Sequence, residues 1–157
     1  MKKIMLIIIL LIVCLFCFVA CNNNIKYSVA YLGSYKGAML ESLEWNIKQI
    51  VKTTKELEHF ALEYEVLNYI DKYDEDYFVD KAIIVCLFNY SHLNANLSVK
   101  SVRINEATIQ INIIEKQSKD AQYPAAEEYW ICVIEVDLKD IKNINDVEMV
   151  INVKRGI

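Results

Sequence analysis

Six consecutive apolar residues, Ile83-Ile84-Val85-Cys86-Leu87-Phe88, constrain the fold more than any other stretch of the chain. A strand with one solvated face alternates apolar and polar residues, whereas an uninterrupted β-forming run has no face to give to water. The sequence therefore predicts a central strand over 81–88, covered on both sides. The neighbouring text is also strand-like. Residues 98–104 read as a strand, Asn105-Glu106-Ala107 as a turn, and Thr108-Ile109-Gln110-Ile111-Asn112-Ile113 alternates cleanly, so the two runs predict a hairpin. Residues 129–136 form a further strand with Trp130, Cys132, Ile134 and Val136 on one face, and 147–153 form a last one. Polar text over 90–97 and 116–128 reads as loops.

At the other end of the domain, Lys26-Tyr27-Ser28-Val29-Ala30-Tyr31-Leu32 predicts a strand, and Gly33-Ser34-Tyr35-Lys36-Gly37 a bend after it. Residues 39–52 fit both periods. Leu40, Leu43, Ile47, Ile50 and Val51 match a helical stripe, while Trp45, Ile47, Gln49 and Val51 alternate, and a strand over 45–52 is preferred. Thr53-Thr54-Lys55-Glu56 is a capping box, in which Thr53 accepts an early backbone N–H and Glu56 reaches back to the Thr53 N–H. Leu57, Phe60, Ala61, Tyr64 and Leu67 follow at helical spacing and predict an amphipathic helix over 54–69 packed on the sheet. The expected class is α+β: mostly antiparallel, sandwich-like β-sheet with one helix on it, preceded by an N-terminal hydrophobic signal helix.

That signal occupies the first twenty residues. Met1-Lys2-Lys3 is positive, Ile4 to Ala20 is 17 apolar residues without a charge, and Phe18-Val19-Ala20-Cys21 puts a small residue directly before a cysteine. The stretch resembles the lipobox of bacterial lipoproteins. The resemblance implies a signal peptide over 1–20, a diacylglyceryl thioether on Cys21, a short tether over 21–25 through Asn22-Asn23-Asn24, and one domain over 26–157 on the outer face of a cell membrane. The rival is an uncleaved signal anchor, which leaves the domain on the same side. Loss of Lys2 and Lys3 leaves 15 basic against 21 acidic residues and takes the formal net charge from −4 to −6. Anionic headgroups repel such a domain, so the lipid is expected to do the anchoring.

Composition excludes several classes. Three Gly and one Pro leave no material for a glycine-rich phosphate loop, and the net negative charge argues against nucleic acid. No Cys or His pair has zinc-like spacing, so neither metal nor cofactor is expected. Asp71, Asp74, Glu75, Asp76 and Asp80 lack the Gly and distal Glu of a calcium loop and read as a solvated acidic turn. His59 reads as helix surface. Once the signal is removed, Cys86 and Cys132 remain; they are a possible disulfide outside the cytoplasm, but each sits in an apolar run where a free Cys behaves as a small hydrophobe.

From Tyr73-Asp74-Glu75-Asp76-Tyr77-Phe78 onward, about half the chain resembles the C-terminal domain of PrcB-type protease-complex accessory lipoproteins and related uncharacterised lipoproteins of low-GC Gram-positive bacteria. The likeness rests on YDEDYFVDKAIIVCLF, the hairpin LSVKSVRINEATIQINI and the closing AEEYWICVIEVD, with QIVKTTKEL upstream. None of these is a catalytic motif. The resemblance implies a non-enzymatic accessory module that assists a cell-surface protease. Tyr90, Ser91, His92, Asn94 and Asn96 of the 90–97 loop are the candidate partner-binding residues. A small extracytoplasmic hydrolase with a site near His92 is the alternative, and a transporter-feeding ligand binder a third that this length disfavours.

Overall fold

Residues 82–88 are covered on both faces, and the rest of the molecule is arranged around them. A computed structural model describes residues 23–35, 46–66, 68, 71–92, 95–117 and 125–155. Its elements are β1 (Tyr27–Ser34), β2 (Asn46–Val51), α1 (Thr54–Tyr64), α2 (Tyr77–Asp80), β3 (Lys81–His92), β4 (Leu97–Asn105), β5 (Thr108–Gln117), β6 (Ala125–Asp137), a 3-10 turn (Leu138–Asp140) and β7 (Asp146–Arg155). Four strands form an antiparallel sheet in the order β1-β6-β3-β2, and three form a second in the order β4-β5-β7. The fold is β-rich with few helices. The signal segment and Cys21 lie outside the described residues.

One face of the central pair β3 and β6 carries Ala82, Ile84, Cys86, Phe88, Trp130, Cys132, Ile134 and Val136, and these pack with Val102, Ile109, Ile111, Ile113 and Val147 of the second sheet. The opposite face carries Ile83, Val85, Leu87, Ile131 and Val133 and packs with Leu57, Phe60 and Ala61 of α1 together with Val66, Tyr73 and Phe78. Burying each such large side chain contributes about 1.5–3 kcal/mol, and a polar residue introduced anywhere in 83–88 has no solvated face to turn to.

The cap of α1 forms with one change of partner. Thr53 Oγ1 accepts the Glu56 N–H at 3.2 Å, but the Glu56 carboxylate takes the Lys52 N–H at 2.6 Å rather than that of Thr53. The helix stops at Tyr64, short of the expected residue 69, because Glu65 enters the left-handed region at φ 52°. A non-glycine there costs roughly 1 kcal/mol. The turn is compensated by complete burial of Val66 and by the Tyr35 hydroxyl, which donates to the Tyr64 carbonyl at 2.6 Å and satisfies a helix-end acceptor.

Two further expectations change, and one strand pair adds a parallel register. The 4–5 hairpin closes as expected at Asn105↔Thr108, but β7 runs parallel to β5, because the chain crosses through β6 of the other sheet before returning. The loops expected over 90–97 and 116–128 are shorter: β3 continues to His92, β5 to Gln117, and β6 starts at Ala125. Part of the stretch expected as a tether is paired instead. Ile104 N donates to the Asn23 carbonyl at 2.9 Å, Ile25 N to the Val102 carbonyl at 3.1 Å, and Arg103 Nε to Asn24 Oδ1 at 2.9 Å, so residues 23–25 lie along the outer edge of β4.

Candidate functional site

At one end of the two facing sheets the apolar rows give way to polar residues. The inward row of β3 runs Cys86, Phe88, Tyr90, His92, and the inward row of β5 runs Ile109, Ile111, Ile113, Glu115, Gln117, by the two-residue period of a strand. The last members of the two rows meet. Glu115 is 0% exposed, and the buried carboxyl is surrounded by donors. Tyr90 Oη donates to Oε2 at 2.7 Å, Gln117 Nε2 donates to Oε2 at 2.9 Å, and His92 Nδ1 lies 3.0 Å from each carboxyl oxygen. The Tyr90 ring stands edge-on to the imidazole at 5.3 Å. Burial, and then the hydrogen bond to Glu115, push the Tyr90 phenol above its ordinary range, so the hydroxyl stays protonated and donates.

A register shift between Tyr90 and His92 shapes this end. Tyr90 faces Glu128 of β6 but His92 faces Ala125, and such an irregularity re-aims the side chains that follow it. Of the five residues assigned to a binding loop, Tyr90 and His92 therefore sit on β3 and converge on Glu115. Ser91 sits between them on β3 and is exposed. Asn96 is exposed at the rim, where its carbonyl accepts the Lys116 N–H at 3.0 Å. Asn94 lies outside the described residues. No motif in the sequence singles out Glu115 and Gln117, although the phase of Ile109, Ile111 and Ile113 carries them inward.

The arrangement has two chemical capacities. It braces β3 to β5 through a saturated buried carboxyl, and it holds an imidazole in a fixed orientation against a carboxyl, which is also the pairing that orients a general base. Cys86 and Cys132 lie directly opposite each other in the core and are free thiols. Burial pushes the Cys86 thiol up to about 12 and Cys132 well above its ordinary value, which leaves neither as a ready nucleophile. Asp71, Asp74, Glu75, Asp76 and Asp80 are exposed, and Asp74 Oδ1 accepts the Tyr77 N–H at 2.9 Å at the start of α2. His59 is exposed on α1, 3.8 Å from Glu63.

A second polar cluster, which no sequence motif marks, centres on Glu135 of β6. It accepts from Ser28 at 2.7 Å, Lys72 at 3.0 Å and Tyr73 at 2.9 Å. No protein-family model, curated protein or solved structure matches the chain.

Proposed function

We propose that the chain is a lipid-anchored extracytoplasmic binding module: a sandwich-like α+β domain hung from Cys21 behind an N-terminal signal helix, which engages a protein partner with the sheet end around His92. The observation that carries this reading is the pairing of residues 23–25 with β4, which begins the folded domain two residues after the cysteine of the lipobox-like segment. The reading gains support from Glu115, whose donors lock the ends of β3 and β5 into a rigid scaffold beneath the exposed Ser91 and Asn96. A cell-surface protease is the partner class that the PrcB-type resemblance implies.

Cross-linked pull-down from intact cells tests this reading. Ser91→Arg and Asn96→Arg change the rim without touching the Glu115 cluster, so the expected result is capture of a surface protease by the native chain and its loss with the double variant. Equal capture by both removes the partner role from this end.

One observation favours a second reading, an extracytoplasmic hydrolase: the 3.0 Å approach of His92 Nδ1 to both oxygens of Glu115. That reading requires His92→Gln to abolish a hydrolytic activity of the purified protein while leaving its melting temperature in place.

A further inference from the structure

The cations of this acidic chain are unevenly placed. On the outer face of the three-stranded sheet, pointing away from Val102, Ile109, Ile111 and Ile113, a shallow basin of about 310 Å³ is lined by Lys100, Ser101, Arg103, Asn112, Asn152 and Lys154, with Ile114 as its one apolar member. Three cations, a hydroxyl and two amides meet there, and no acidic residue lines it. Asn112 Nδ2 donates to Ser101 Oγ at 3.2 Å, which leaves the serine proton to donate elsewhere. Among the described residues none of Lys100, Arg103 and Lys154 has a carboxylate within ion-pair distance. Of the other described lysines, Lys72 is engaged by Glu135 and Lys81 and Lys139 by Asp137, while Lys26, Lys48, Lys55, Lys116 and Lys142 have no carboxylate within ion-pair distance among the described residues. The acids sharing the sheet face are engaged as well: Glu148 accepts from Gln110 at 3.1 Å and Asp146 from Thr108 at 3.4 Å.

The chain's own N-terminal segment runs beside this face. Asn24 receives the Arg103 Nε–H bond, and only Asn22 separates Asn23 from Cys21. Two residues reach at most about 7 Å. On the anchored reading, a domain held so closely cannot rise off the leaflet, and the sheet that carries the attachment also carries this group of three converging cations. We infer that the outer face of β4-β5-β7 docks on anionic phospholipid headgroups, with a phosphodiester seated between Lys100, Arg103 and Lys154. This rests on the Cys21 anchor and revises the expectation that the lipid alone holds an acidic domain to the surface. Each cation near an anionic leaflet strengthens such contact roughly fivefold at moderate salt.

The test uses the full-length, lipid-modified protein in phosphatidylcholine vesicles with and without phosphatidylglycerol, each doped with a headgroup-labelled quencher. A fluorophore is placed at Val150→Cys on the face, or at Leu62→Cys on α1, which is 82% exposed and lies on the other side of the molecule. The expected result is several-fold stronger quenching at 150 than at 62, only with phosphatidylglycerol, reduced by salt and lost in the K100Q/R103Q/K154Q variant while that protein stays on the vesicles. Equal quenching at both positions, or no response to the triple substitution, overturns the docking proposal. Displacement of the signal by soluble polyphosphate without any dependence on phosphatidylglycerol assigns the basin to a free anion and overturns it too. Failure of the protein to stay on phosphatidylcholine vesicles refutes the anchor instead, which separates the two claims.

Discussion

Glu135 and its two tyrosine neighbours separate a hydrogen bond that stabilises from a hydroxyl that does not. Partial burial alone would raise the Glu135 carboxyl, but hydrogen bonds from Ser28, Lys72 and Tyr73 and the Lys72 charge outweigh it and hold the group below its ordinary value near 4.5. A carboxyl lowered in the folded state contributes stability that is fully present above 4.5 and is lost as pH falls through the lower folded value. The melting temperature is therefore expected to drop on acidification below 4.5, and Glu135→Gln to remove that part of the drop. Tyr73 donates to Glu135, whereas the Tyr77 hydroxyl is buried without a partner among the described residues. Tyr73→Phe should cost about 1 kcal/mol in urea unfolding, and Tyr77→Phe should be neutral or stabilising. A larger loss for Tyr77→Phe would mean that its hydroxyl has a partner in solution.

Among the elements, β3 and β5 are joined at their polar ends by Glu115. Glu115→Leu strands the donors of Tyr90, His92 and Gln117 and is expected to cost about 3 kcal/mol, read as a lowered urea midpoint. Glu115→Gln keeps the shape and an acceptor and should recover most of that loss; equal loss in both variants would show that charge, not hydrogen bonding, carries the brace. This junction was the least legible part of the fold. The run 83–88, the Thr53 cap and the 98–113 hairpin depend on neighbours in sequence, and their pattern names them. Tyr90, Ser91 and His92 read as loop because their pairing partners lie in β6 and their cluster partner is Glu115, 23 residues beyond His92. The parallel placement of β7 has no local signature at all, since it depends on the chain having passed through the other sheet.

Across the whole molecule, the two-faced burial of β3 and β6 demands cover from both α1 and the second sheet, and the sequence states that demand openly in its apolar runs. Charge placement was legible only in part. A net count makes the domain acidic, but the pleat sorts Arg103 and Lys154 onto one face, and with Lys100 they collect there while Asp137 and Glu135 draw other lysines away. Residues 23–25 likewise read as tether because three asparagines have nothing to bury, yet two of them, with Ile25, pair along β4, an interaction made by the backbone and one arginine. Attachment at Cys21 is the claim on which the functional account turns, and radiolabelled palmitate incorporation in cells expressing the native chain and Cys21→Ala measures it directly. The account predicts a labelled, processed native protein and an unlabelled, full-length precursor for the variant; label retained in Cys21→Ala would contradict it.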